Sequence, residues 1–292
     1  MAILLGMTPP PRGPLLQPGV AILVRPSGSI QLGWDPERAV VLRPPGLDPA
    51  AVERFLRGLD GLQTRPQVLW RAGELGLAPE QAGALLDAVD DAGLLVRPAD
   101  GPALVRTVRV HGRGPLTDLV LGWLGAEGLH PARSPGGYRR AEVRSWREDL
   151  VILTDTLVID PRLGADLVLA RIAHLPVRIR DGRGVVGPLV LPGATSCLRC
   201  ADLTRSGGDA EWPHLAAQLL DRVGAASPAM VARTGALALT ELEAIFACST
   251  RREPQTLDAT LEPDPDSHAV HSRRWRPHPE CGCRLVAAGP AA

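Results

Sequence analysis

The chain has 292 residues, 45% apolar and 22% charged, a globular mixture that excludes a disordered polypeptide and leaves room for two compact units. Basic and acidic residues balance at 32 each, so no global field draws in nucleic acid or holds a basic partner. Every basic residue is arginine, and the absence of lysine excludes Schiff-base chemistry and a lysine-bearing P-loop, while the absence of asparagine removes N-glycosylation acceptors.

In chain order, the apolar run Met1-Ala-Ile-Leu-Leu-Gly-Met7 is too short for a membrane span and lacks a positive start. No later stretch approaches the ~20 residues a bilayer needs, so a cytoplasmic location and no membrane partner are expected. Residues 20–24, 30–32 and 39–42 read as three short strands separated by Pro26-Ser-Gly28 and Trp34-Asp-Pro36, making a small antiparallel sheet. A helix over 49–59 follows. Thr64-Arg-Pro-Gln67 starts another with Gln67 placed for a capping box, and a third begins at Pro79, carries Ala82, Leu85, Leu86 and Val89 on one face, and stops at Gly93.

Residues 98–102, Pro-Ala-Asp-Gly-Pro, read as a linker between domains 1–101 and 102–292. Beyond it the pattern becomes α/β: a strand over 104–110, a glycine turn, a helix to about Ala126, a strand over 150–153, a helix around 163–172, and strands at 177–179 and 185–191. The longest helix spans 228–247, and strands at 256–261 and 269–273 close the domain. The turn His111-Gly-Arg-Gly-Pro-Leu-Thr117 has the strand–glycine–helix order of a nucleotide fold. It is degenerate: Gly112 and Gly114 are present, Thr117 takes the third glycine's place, Pro115 removes an amide donor, and 130–137 offers no acid for a ribose.

Five cysteines in a chain of this size point to metal binding before a disulfide framework. Cys197-Leu-Arg-Cys200 and Cys281-Gly-Cys283 are two close pairs about eighty residues apart, and together they predict a closed Cys₄ zinc site. With no position left for water the metal would be structural, tying the C-terminal segment to its domain. His278 could replace one thiolate but reads better as an outer neighbour. Cys248 stands apart, as a buried free thiol or, less simply, a nucleophile.

The three strands and three helices between Leu16 and Val96 resemble the winged-helix unit of a RiPP recognition element. A DNA-reading version would need a basic third helix, whereas 79–92 carries only Glu80, Asp87, Asp90 and Asp91, so no nucleic-acid partner is expected. From about Val105 to Leu285 the chain resembles the ThiF-like fold of ubiquitin-activating-type adenylyltransferases. The resemblance rests on Val110-His-Gly-Arg-Gly114, Asp149-Leu-Val-Ile-Leu-Thr-Asp155, Cys197-Leu-Arg-Cys200 and the helix from Met230 to Ile245. The stretch from Gly187 to Leu203, Asp209-Ala-Glu-Trp-Pro-His214 and His278-Pro-Glu-Cys-Gly-Cys283 resemble the partner protein of azoline-forming, YcaO-type cyclodehydratases.

That resemblance implies a peptide-docking component of a thiazole- or oxazole-forming system, of the kind that makes bacteriocins. A precursor leader would add as a strand along Ala39, Val40, Val41 and Leu42 and place apolar side chains against Leu85 and Val89. Asp155 would match the fold's Mg²⁺-binding aspartate, but Thr156 follows it where asparagine is usual, and no residue matches the phosphate-holding lysine. The expected protein is therefore ATP-silent, with structural zinc as cofactor, a leader peptide and a YcaO-type enzyme as partners, and homodimerisation left open. Two alternatives stand beside it: an active adenylyltransferase, and a zinc-stabilised scaffold of another assembly.

Overall fold

A computed structural model describes residues 13–96, 105–138, 141–247 and 253–288. They divide into two compact units, one within 13–96 and one from residue 105 onward. Cys248 and the linker reading at 98–102 lie outside the described residues.

The first unit runs β1 (Leu15–Leu16), β2 (Ile22–Val24), β3 (Ile30–Leu32), β4 (Val40–Leu42), α1 (Pro49–Arg57), α2 (Arg65–Ala72), α3 (Pro79–Asp91) and β5 (Leu95–Val96). β2, β3 and β4 form an antiparallel meander in which, among the described residues, β4 has no further neighbour, and β1 pairs with β5 in a separate ribbon. Local chemistry sets the boundaries. Asp48 accepts from the Ala50 and Ala51 amides ahead of α1, with Pro49 supplying a pre-set φ in its first turn. Gln67 Oε1 accepts from the Thr64 amide at 2.9 Å, so one arm of the expected capping box is made. Gly93, at φ 71°, ends α3 in the left-handed conformation that glycine adopts without a Cβ penalty. Ile30, Leu32, Val52, Leu56, Leu86 and Val89 form the centre of the core. The β1–β5 ribbon leaves no signature in the sequence, because two residues per strand carry no period.

The second unit contains β6 (Val108–His111), α4 (Pro115–Ala126), β7 (Ala132–Ser134), β8 (Leu150–Thr154), α5 (Pro161–Leu169), β9 (Ala173–Arg180), β10 (Arg183–Val186), α6 (Leu198–Gly208), α7 (Trp212–Ala217), α8 (Pro228–Ala247), β11 (Ala259–Pro263) and β12 (Val270–Arg274). Its seven strands lie in the order β12-β11-β10-β9-β8-β6-β7. β7, β6, β8 and β9 are parallel, and β9 through β12 are antiparallel. Alternation along β8 explains the layers: Leu150 and Ile152 pack with Leu116, Val120 and Leu242 of α4 and α8, while Val151 and Leu153 pack with Leu163 and Leu167 of α5.

The expected strand over 185–191 stops early, at Val186. Gly187 turns the chain at φ 91°, where a Cβ would lie 2.7 Å from the Ala259 carbonyl oxygen, and Pro188 has no amide to donate. Leu189 and Val190 keep only single bridges, to Leu257 and His174. Among the described residues no helix is long and apolar enough to cross a membrane.

Candidate functional site

The fold brings the two cysteine pairs together. Cys197 occupies the N-cap of α6 and Cys200 lies in its first turn, so both thiols leave the same end of the helix. From the other end of the domain, Cys281 closes a turn in which its amide donates to the His278 carbonyl at 3.0 Å, and Cys283 follows in a 3₁₀ segment, Gly282–Ala288. The Sγ atoms are 3.7 Å apart for Cys197 and Cys200, 3.6 Å for Cys197 and Cys281, and 3.6 Å for Cys200 and Cys283. All four lie within 4.8 Å of one another. Sulfurs at 2.3 Å from a common tetrahedral centre would stand about 3.8 Å apart, so the donor set fits a metal ion.

The surroundings are apolar. Val168 of α5, Val190 and Leu198 pack around the thiols, and Cys197, Cys200 and Cys283 are buried. Burial pushes the Cys197 thiol well above its ordinary range and the Cys283 thiol up to about 11. Four thiolates cannot ionise side by side there without a cation to hold them. His278 is not a member of the cluster; its Nδ1 accepts from the Glu280 amide at 3.3 Å.

The glycine turn lies at the carboxyl ends of β6 and β8, where the strand order reverses and an α/β sheet usually opens a ligand crevice. Gly112, Gly114 and Asp155 do converge there, but the chain fills the place itself. The Asp155 carboxylate, 1% exposed, accepts from the amides of Leu116 at 3.1 Å and Thr117 at 2.9 Å and from the Thr117 hydroxyl at 2.6 Å. An anion thus already sits on the N-terminus of α4, the position a nucleotide phosphate takes in this kind of turn. The glycines serve that packing: a Cβ on Gly114 would lie 2.8 Å from the Asp155 carboxyl carbon, and one on Gly112 would overlap the Thr154 hydroxyl.

Gly136, following β7, folds onto the same turn, so that its added Cβ would stand 3.2 Å from Gly112 Cα. His111 is buried beside it, with Nδ1 2.8 Å from Ser134 Oγ and its ring 5.4 Å from that of Trp146. Burial, helped by the Arg109 charge, pushes its pKa down to about 4. Thr117, which stands in the third glycine's place, is a buried donor to Asp155, a partner that its position three residues after Gly114 does not signal.

In the first unit a groove of about 430 Å³ runs between the segment after β4 and α3, lined among others by Leu42, Arg43, Leu47, Glu80, Ala84 and Leu85. Leu42 and Leu85 thus border it. Ala39, Val40 and Val41 are half-buried along the β4 edge. Val89 is fully buried in the same core as Leu85, and of the two only Leu85 also lines the groove.

No family profile and no curated protein sequence matches the chain. Solved structures do. A heterocyclase in complex with substrate and cofactor superposes with a TM-score of 0.62 at 15% identity, over 92% of this chain and 39% of that one. The heterocyclase TruD gives 0.60 at 14%, over 93% and 42%. Escherichia coli MccB with MccA-N7isoASN gives 0.56 at 11%, over 93% and 99%. This chain thus spans about two fifths of the heterocyclases and nearly all of MccB. The shared property is the fold, and the alignments take in both units.

Proposed function

We propose that this protein is a peptide-docking component of a thiazole- or oxazole-forming cyclodehydratase system, that it does not use ATP, and that a structural Zn²⁺ joins its C-terminal segment to the α/β unit. The observation that carries the reading is the Asp155 carboxylate seated on the N-terminus of α4, in a fold shared with heterocyclases and MccB over more than nine tenths of the chain. A phosphate there would have to displace a buried, triply hydrogen-bonded anion of like charge. The absence of lysine agrees with this.

In this reading the first unit is a winged-helix-like recognition domain. A leader peptide adds along β4 and sinks apolar side chains into the groove between Leu42 and Leu85, giving main-chain affinity with side-chain selection. Cys197, Cys200, Cys281 and Cys283 would hold the zinc, which supplies cross-linking and no catalysis because four thiolates complete its shell. Phosphoryl chemistry belongs to a separate YcaO-type enzyme.

The near full-length match to MccB, a protein also solved with ATP, favours one second reading, an adenylyltransferase acting on a peptide terminus. ATP–pyrophosphate exchange separates the two. The docking reading expects no exchange by this protein with or without precursor peptide, saturable binding of a leader, and a higher azoline yield when it is added to its enzyme. Peptide-dependent exchange would replace it with the second reading.

A further inference from the structure

Residues on β9 alternate between two environments. Val177 and Ile179 enter the core shared with α4 and α8, so Arg178 and Arg180 leave the opposite face of the sheet. The cross-strand register carries that face to Glu262 on β11 and Arg273 on β12 through the pairs Arg178–Val185, Thr260–Arg273 and Glu262–His271. Arg205 of α6 completes the set, with its guanidinium 4.7 Å from the centre of the Trp275 ring and 5.2 Å from that of Trp212. Arg273 lies 4.5 Å over Trp275 as well.

Four guanidinium groups therefore gather around two carboxylates, and both carboxylates are already taken. Asp202 pairs with Arg205 at 2.9 Å, and Glu262 with Arg180 at 3.2 Å. Arg178 is left over. It is only 8% exposed, yet among the described residues it makes no hydrogen bond or ion pair, and its buried Nε has no acceptor. Burial first, then the neighbouring Arg205 and Arg180 charges, pushes its pKa down to about 10. An uncompensated buried charge opposes folding, and a hydrophobic side chain of the same length would fill the place at lower cost. A fork of donors lacking an acceptor matches the geometry of a carboxylate or phosphate.

We propose that the arginine and tryptophan cluster on this face, centred on Arg178, is a binding site for the oxyanion group of a ligand, a carboxylate or a phosphate. Arg178 and Arg180 supply forked donors, and Arg205 and Arg273 are held in place by Trp212 and Trp275. The site is separate from the glycine turn and from the cysteine cluster, and it does not depend on the peptide-docking reading.

The test is thermal unfolding of the full chain in three solutions: millimolar inorganic phosphate, a short glutamate-rich peptide, and sodium chloride at matched ionic strength. At least one oxyanion should raise the melting temperature by about 3 °C over the chloride control. Phosphate alone would assign a phosphate ligand, and the peptide would assign a carboxylate. Arg178→Met should melt higher than wild type without oxyanion and lose the response. Arg273→Ala should weaken the response with the fold unchanged, whereas Arg274→Ala, on the other face of β12, should retain it. Equal shifts in chloride, or a full response in both Arg178→Met and Arg273→Ala, would overturn the assignment. A lower melting point in Arg178→Met with no response to oxyanion in wild type would make Arg178 a purely structural residue.

Discussion

Asp155 shows how a residue type can be read correctly and its role missed. Its place at the end of β8 was legible, but a carboxylate that binds an external cation and one that caps a helix look alike in sequence. The two differ in what substitution does. A cation ligand in an open site is removed at little cost to the fold, whereas Asp155→Ala strips three donors of their acceptor and should destabilise the second unit by about 2 kcal/mol in denaturant unfolding. Unchanged stability would argue for an open nucleotide site. At the cysteine cluster, Cys281→Ser should lower metal content below one per chain and cost about 4 kcal/mol or more, measured by metal analysis and unfolding together. The histidines set a pH limit. His111 and His174 are both held near pKa 4 by burial, against 6.5 when the chain is unfolded. Unfolded imidazoles take up protons below about pH 6.5 and the folded ones do not, so stability is complete above that value and falls as the pH drops toward 4. The loss is roughly 2 kcal/mol for each by pH 5, and denaturant midpoints measured at pH 7 and pH 5 should show it.

Among the elements, β4 offers the sharpest test, because its ladder can be worked out. Gly33 N donates to Ala21 O and Arg25 N to Ser29 O, which turns the odd-numbered backbone groups of β3 toward β2 and its even-numbered ones toward β4. Val40 and Leu42, opposite Leu32 and Ile30, therefore bond inward, and the Val41 amide points away from β3. Proline is tolerated at such an outward position. Val41→Pro should leave folding and metal content intact while weakening leader binding at least tenfold by titration; unchanged affinity would move the peptide elsewhere. The helices were the most legible elements. Asp48, Pro49, Thr64, Gln67, Pro79 and Gly93 act within one turn of themselves, and α8 runs from Pro228 to Ala247, the bounds read from the sequence. Strand ends were less legible, because Val20, Ala39 and Leu191 have strand character but pair with no strand among the described residues.

For the whole molecule, two separate cores imply two unfolding events with different sensitivities. The first unit's core draws on residues 16 to 95 and includes no cysteine, whereas the four thiols hold α5 and α6 to the C-terminal segment of the second. A strong chelator should lower only one of two calorimetric transitions, and the transition that moves should be the one lost in Cys281→Ser. A single transition unaffected by chelation would remove the metal from the account of stability.

The amino-acid sequence by itself determined what depends on near neighbours or on spacing: the helix caps, the order of strands and helices, the change to α/β pattern after residue 104, and the two cysteine pairs. Pairing CxxC with CxC across eighty residues was also within its reach, since few other soft donors exist in the chain. Tertiary structure alone decided which anion occupies the N-terminus of α4, because the Asp155 carboxylate reaches donors 38 and 39 residues away that no local pattern links to it. It likewise decided that Leu85, a core residue like Val89, also borders a groove, and that Arg178 is buried with no partner among the described residues. Each of these is a question of which surfaces meet, and in a folded chain that is settled by the packing of elements distant in sequence, where burial and the placing of charge are properties of the assembled sheet and helices.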